Sequence, residues 1–234
     1  MIREECTVQL RDKLDQDQMV ITAWSTSPSA EIAGALARCA FDTVTVDMQH
    51  GAHTETTAFA SVRAIFAAGK PGVLRIPVGR NDLASRALDM GFEAVIAPMI
   101  NSVADAEAFA AAMKYPPVGE RSWGPTKALQ LDPSQTPESY FRTANVKTIP
   151  LALTETREAF AALDGVWATD GIAGVLVGPS DRSMAWSNGA GVDPHNAELQ
   201  DVMAEIADRA RKAGKFAAIF ALDPADVPRF GKMG

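Results

Sequence analysis

The sequence predicts an α/β chain folded as a (β/α)8 TIM barrel, with the eighth strand and final helix missing from its 234 residues. Three observations carry that expectation. Short apolar runs alternate with helical stretches along the whole chain, the pattern of a parallel sheet covered by helices. Seven such strands can be counted, and the chain stops where an eighth would begin. Polar residues follow several of the strands rather than one, as on the C-terminal face of a barrel. A doubly wound open sheet is the weaker alternative, because no GxGxxG follows the first strand.

The elements follow in order. Glu4 to Gln16 reads as a charged amphipathic helix, and Met19 to Trp24 as the first strand. A helix over Ala30–Cys39 is capped by Ser29. The second strand is Thr43–Asp47, a helix covers Thr57–Ala68, and Val73–Ile76 is the third strand. The helix from Asp82 to Met90 stops at Gly91. Ala94–Ala97 is the fourth strand, and a helix starting after Asn101 or Ser102 runs to Met113. A polar loop (Tyr115–Pro125) and a short helix near Glu138–Ala144 precede strand five (Pro150–Leu153) and strand six (Ile172–Val177). The helix Glu198–Ala213 leads to strand seven, Phe216–Phe220, and an incipient helix stands at Gly231–Gly234.

A chain that is 47% hydrophobic and has no linker or low-complexity tract suits one compact domain over residues 1–234. The net charge of −7, without a basic stripe, argues against nucleic acid. No apolar run approaches membrane-spanning length, and the charged N-terminus lacks the apolar core of a signal peptide, so a cytosolic protein is expected. Cys6 and Cys39 lack CxxC spacing and read as reduced thiols.

Candidate chemistry gathers at strand ends. Strand two runs into Asp47-Met48-Gln49-His50, strand three contains Arg75, strand five leads to Glu155 and strand six to Asp181. Two carboxylates beyond consecutive strands, with no Cys or His beside them, suit Mg²⁺, Mn²⁺ or Co²⁺ better than structural zinc. Taken singly, each would as readily be a helix N-cap or first-turn acid. Arg75 interrupts a buried strand and needs a carboxylate or an anionic ligand. Asp47 and His50 could equally form a local turn. Asp89 sits in the last turn of a helix, where the macrodipole disfavours it, and His50 or Arg75 would compensate. His53 and His195 read as surface residues. Lys70, Lys147 and Lys215 precede strands, opposite the proposed site, and only Lys127 has access, which disfavours imine catalysis. No nucleophile elbow or P-loop is present.

The stretches VDMQHG, LRIPVGRND, ALDMGFEAVIAPMINS, KYPPVGERSWGP, LTETREA and GVLVGPSD occur in that order. Together they resemble the HpcH/HpaI aldolases, metal-dependent class II pyruvate aldolases, from about Trp24 to the C-terminus. The resemblance implies a divalent metal on Glu155 and Asp181, a substrate-binding Arg75, an acid/base His50 and associated Asp47 and Asp89. It also implies a pocket lined by Trp24 and a substrate carboxylate held by the amides of Gly178, Ser180 and Asp181. The implied assembly is a homo-oligomer, a hexamer exchanging its final helix between subunits, so the missing eighth unit puts closure and exchange in question. Leu153 stands where many members carry Gln.

The implied reaction is reversible aldol cleavage of a 4-hydroxy-2-ketoacid to pyruvate or hydroxypyruvate and an aldehyde, through an enolate. Arg75 would face the developing enolate charge, and His50 or a water on the metal would take the C3 proton. The rivals are a CoA-ester lyase of the citramalyl or malyl type, for which no CoA groove is visible, and a non-catalytic ketoacid-binding barrel.

Overall fold

The structure is a computed structural model that describes residues 9–233. Cys6, the start of the first expected helix and Gly234 lie outside the described residues. The chain begins with α1 (Leu10–Asp15), β1 (Thr22–Ser25), α2 (Ala30–Ala37), β2 (Thr43–Asp47), α3 (Glu55–Ala67), β3 (Gly72–Arg75), α4 (Asn81–Met90) and β4 (Ala94–Ala97). It continues through α5 (Val103–Met113), α6 (Thr126–Leu131), α7 (Pro137–Lys147), β5 (Ile149–Thr154), α8 (Arg157–Ala161) and α9 (Leu163–Ala168). The last elements are β6 (Gly174–Val177), α10 (Pro179–Trp186), α11 (Ala197–Lys212), β7 (Phe216–Ile219), a 3-10 turn (Pro224–Asp226) and α12 (Val227–Gly231).

Local chemistry explains most boundaries. Ser29 accepts from the Ile32 amide at 3.3 Å, Ser102 from Asp105 at 3.2 Å and Thr156 from Ala159 at 3.0 Å, each satisfying an orphan helix N–H. Gly91 ends α4 at φ 107°, a left-handed conformation that glycine adopts without steric cost. Four features were not anticipated: α6 in the polar loop, the split of the β5–β6 connection into α8 and α9, α10 starting inside the GPSD stretch, and a last helix that ends at Gly231.

All seven strands are parallel and pair in sequence order, β1 to β7. The expected closed (β/α)8 barrel is not what they form. The sheet is open and curled, because β1 and β7 share no ladder and each leaves one edge unpaired among the described residues. The doubly wound alternative fails too. Its helices would cover both faces in layers, whereas here the helical layer packs on the outer face and only the short α1 meets the inner rows.

Strand alternation divides the apolar residues between two layers. Val44, Val46, Leu74, Val95, Ala152 and Val175 face outward and pack with Val62, Ile65, Leu88, Phe109 and Ile206 of the helices. Val73, Ile96, Ile149, Leu153 and Leu176 face inward, and Leu10 and Leu14 of α1 join them. Trp24 and Phe220, at the ends of the first and last strands, meet edge-to-face with ring centroids 4.7 Å apart. That contact draws the two free edges toward each other without a hydrogen-bonded strand between them. No helix among the described residues is long and apolar enough to cross a membrane.

Candidate active site

The inward rows of the strands end in polar groups. Asp47 continues the row of Thr43 and Thr45, Arg75 that of Val73, and Glu155 that of Leu151 and Leu153, so period-two alternation aims all three at the concave side. Asp47 and Arg75 are register partners. Arg75 Nε and Nη2 donate to Asp47 Oδ1 and Oδ2 at 2.9 and 2.5 Å. Asp47 also accepts from the amides of Gln49 (2.9 Å) and His50 (3.3 Å) and from the Trp24 indole (3.3 Å). Burial alone would raise the Asp47 pKa, but the hydrogen bonds and charge of Arg75, with Gln49 and Trp24, hold it below the usual carboxylate value. The Arg75 guanidinium lies 5.0 Å from the Trp24 ring centroid, and its Nη1 has no protein acceptor among the described residues.

Glu155 and Asp181 form the second half. Glu155 is buried at the end of β5 and Asp181 stands in the first turn of α10. Burial pushes the Glu155 pKa up to about 7, and the charge of Asp181 and the hydrogen bond with it push the same way; the Met99 amide and Arg75 oppose them. Gly178 makes the close approach possible, since a Cβ there would lie 2.7 Å from Glu155 Oε1. Met99 carries a positive φ of 57°, which a non-glycine residue adopts at a cost, and so turns its amide toward Glu155. Thr156 Oγ1 donates to Asn101 Oδ1 at 2.8 Å, tying the end of β5 to the loop after β4.

Two carboxylates forced together with too little positive charge between them are the environment a divalent cation relieves, and their oxygen-only donors fit such an ion. No third His, Cys, Asp or Glu completes a ligand cluster among the described residues. Glu155 and Asp181 are therefore the two residues that could hold such an ion.

The remaining candidates divide. His50 is exposed on the turn after β2, anchored through its backbone amide rather than its ring. Asp89 does not join these residues. It lies at the far end of α4 and pairs with Arg121 (2.7 Å), not with His50 or Arg75. His53 is not a surface residue: it is 6% exposed, and its ring contacts Ser25 Oγ at 3.2 Å and Thr57 Oγ1 at 3.3 Å. Burial pulls its pKa down. Leu153, buried within the inner layer, offers no polar contact.

Lys70 and Lys215 stand ahead of β3 and β7 as expected, but Lys127, expected in a loop with access, lies in α6 and donates to Gln130 Oε1 at 3.0 Å. Lys70 donates to the carbonyls of Cys39 and Phe41, and Lys215 to that of Ile172 at 2.6 Å. Lys114 is the most perturbed, pulled down by burial to about 7, yet it sits on the carbonyls of Asn145 and Thr148 ahead of β5, away from Glu155. A cavity of ≈ 420 Å³ opens between α9 and α11 beside Asp164, Trp167 and Arg209 and is likewise apart from these carboxylates.

Arg182 was not anticipated. Its side chain is wholly buried and donates to Thr154 O (2.7 Å) and Thr154 Oγ1 (3.3 Å). Burial lowers its pKa to about 10, and the charge of Glu155 opposes that. A cation in the first turn of a helix, where the macrodipole disfavours it, was the one signal the sequence offered.

Residues 20–234 match the profile of the HpcH/HpaI aldolase/citrate lyase family. A hydroxypyruvate/pyruvate aldolase of Rhizorhabdus wittichii is 33% identical over 91% of this chain and 83% of its own length. A 2-keto-3-deoxy-L-rhamnonate aldolase of Klebsiella pneumoniae is 31% identical over 88% of this chain and 76% of its own. The crystal structure of an HpcH/HpaI aldolase/citrate lyase family protein from Burkholderia cenocepacia superposes with a TM-score of 0.84 at 25% identity, covering 96% of this chain and 89% of that one. The matched profile and these relatives show that the chain belongs to the HpcH/HpaI aldolase/citrate lyase family.

Proposed function

We propose that the protein is a divalent-cation-dependent carbon–carbon lyase of the pyruvate aldolase class, cleaving 4-hydroxy-2-ketoacids reversibly to pyruvate or hydroxypyruvate and an aldehyde. The observation that carries this reading is the Glu155–Asp181 carboxylate pair facing the same concave side as Arg75. The substrate class is supported by the relatives: hydroxypyruvate, pyruvate and 2-keto-3-deoxy-L-rhamnonate are all 2-ketoacids.

Glu155 and Asp181 would hold Mg²⁺, Mn²⁺ or Co²⁺, which when bound supplies Lewis acidity toward the oxygens of a 2-ketoacid. Arg75, held by the fork of Asp47, presents its free Nη1 to the substrate oxygen that gains negative charge as the enolate forms. Because Asp47 keeps its guanidinium in place beforehand, that stabilisation needs little reorganisation. Asp47 itself is a poor proton acceptor, since both its oxygens are occupied. His50, exposed on the turn after β2, would move the C3 proton. The Trp24 ring walls the site beside Arg75, and the first amides of α10, at Ser180 and Asp181, have no acceptor among the described residues and suit a carboxylate. Asp89 would act only if brought to a site other than that of its own chain.

NMR of pyruvate in D₂O tests this directly. Deuterium should enter C3 with Mg²⁺ and protein present, and fail to enter with EDTA or in Glu155→Ala. Metal-independent exchange, or none at all in folded protein, would overturn the assignment.

A further inference from the structure

Arg182 carries a charge that the reaction above leaves unused. It follows Asp181 in sequence and hydrogen-bonds Thr154, the residue before Glu155, so it touches the supports of both carboxylates. Its side chain is fully buried under the rings of Trp186 (5.0 Å) and Phe160 (5.8 Å). Nε and Nη1 have no hydrogen-bond partner among the described residues, and no carboxylate pairs with it directly. A buried cation without an ion-pair partner is costly, and an apolar side chain of similar length would fill the space without that cost. The nearby negative charge is that of Glu155, whose influence on the guanidinium is felt without direct contact.

We propose that Arg182 is a buried counter-charge, which weakens divalent-cation binding at Glu155 and Asp181 and strengthens binding of a monoanionic ligand beside them. This rests on the cation reading given above. With a dication bound, the two carboxylates cancel it and Asp47 cancels Arg75, so Arg182 leaves the loaded site with one positive charge. A 2-ketoacid monoanion then brings the site to neutrality. Without Arg182 the same ligand would enter a neutral site and leave it negative, in surroundings where burial keeps Coulomb interactions strong. Arg182 is thus a positioning residue for charge, acting on ligands through space rather than by contact.

The opposed signs separate this role from that of a structural strut, because a strut would lose both affinities together. Mn²⁺ binding is measured by titration, followed by titration of the Mn²⁺-saturated protein with oxamate, an unreactive monoanionic analogue of pyruvate. Arg182→Met should bind Mn²⁺ about tenfold more tightly and oxamate about tenfold more weakly, while Arg182→Lys stays within about threefold of the parent in both. Arg182→Gln, also neutral, gives the same reading should the methionine variant fold poorly. Affinities that fall together in the neutral variants, or do not move, overturn the proposal alone. Absence of Mn²⁺ binding by the unaltered protein overturns the cation reading and the proposal with it.

Discussion

Asp47 and Arg75 are register partners on adjacent parallel strands, and their side chains close into a forked ion pair with contacts of 2.9 and 2.5 Å. The Asp47 side chain is 1% exposed and that of Arg75 11%, so the charge on each depends on the other. Breaking such a pair strands a buried charge, which costs far more than losing an exposed one. Asp47→Asn should therefore destabilise the fold by about 3 kcal/mol in urea denaturation at pH 7. The Asp47 pKa is lowered in the fold, so its contribution is present above the ordinary value of 3.8 and fades as pH falls through the folded value. The difference between parent and variant should shrink toward pH 2; a constant difference would show that shape, not charge, is responsible.

Glu155 titrates in the opposite sense. With its pKa raised from 4.5 to about 7, the metal-free protein keeps this contribution below pH 4.5 and loses it as pH rises through about 7. Melting temperature without metal should thus fall between pH 5 and 8, and less so in Glu155→Gln. Added Mn²⁺ at about 100 times Kd should stabilise the parent by about 2.7 kcal/mol and leave the variant unmoved. An equal response in both would remove Glu155 from the ligand set.

Glu93 supplies a second component of the same pH slope. Its carboxylate accepts the Leu10 amide at 2.7 Å, capping the start of α1, and burial raises its pKa to about 7. Glu93→Gln retains an acceptor without the charge, so it should lessen the fall in melting temperature between pH 5 and 8 while leaving Mn²⁺ binding unchanged. Altered Mn²⁺ affinity would mean that α1 and the carboxylate pair are coupled through the inner layer.

His50→Ala should slow C3 exchange by about 10²- to 10⁴-fold, the usual range for loss of a positioned acid or base, with the pyruvate dependence little changed. Exchange within twofold of the parent would assign the proton to solvent or to another group.

Met99 holds a left-handed φ of 57° and is 38% exposed, so its side chain contributes little packing. Met99→Gly should be neutral or stabilise by up to about 1 kcal/mol, whereas Met99→Val should destabilise because β-branching disfavours that conformation. Circular-dichroism melts of the two variants check the order; a reversed order would show that the side chain, rather than the backbone, matters here.

Much of this protein was legible from local signals. Thr43–Asp47 and Ala94–Ala97 were bounded correctly because β-branched or apolar residues run there between turn signals. Ser29, Ser102 and Gly91 marked helix ends through backbone chemistry that acts within a few residues. Arg75 was recognisably in need of an anion, since its cost depends only on being in a strand. Tertiary structure alone chose Asp47 as that anion, Arg121 as the partner of Asp89, and the burial of His53, because each contact joins residues about 28 or more apart or depends on what packs around a loop. Closure was likewise undecidable from strand count: it depends on whether β1 and β7 share hydrogen bonds, and they do not. Arg182 shows the same division most plainly. The sequence determined that a cation follows Asp181 beyond the sixth strand, but only the packing of Phe160, Trp186 and Thr154 around it removed that cation from water and brought it within the influence of the Glu155 charge.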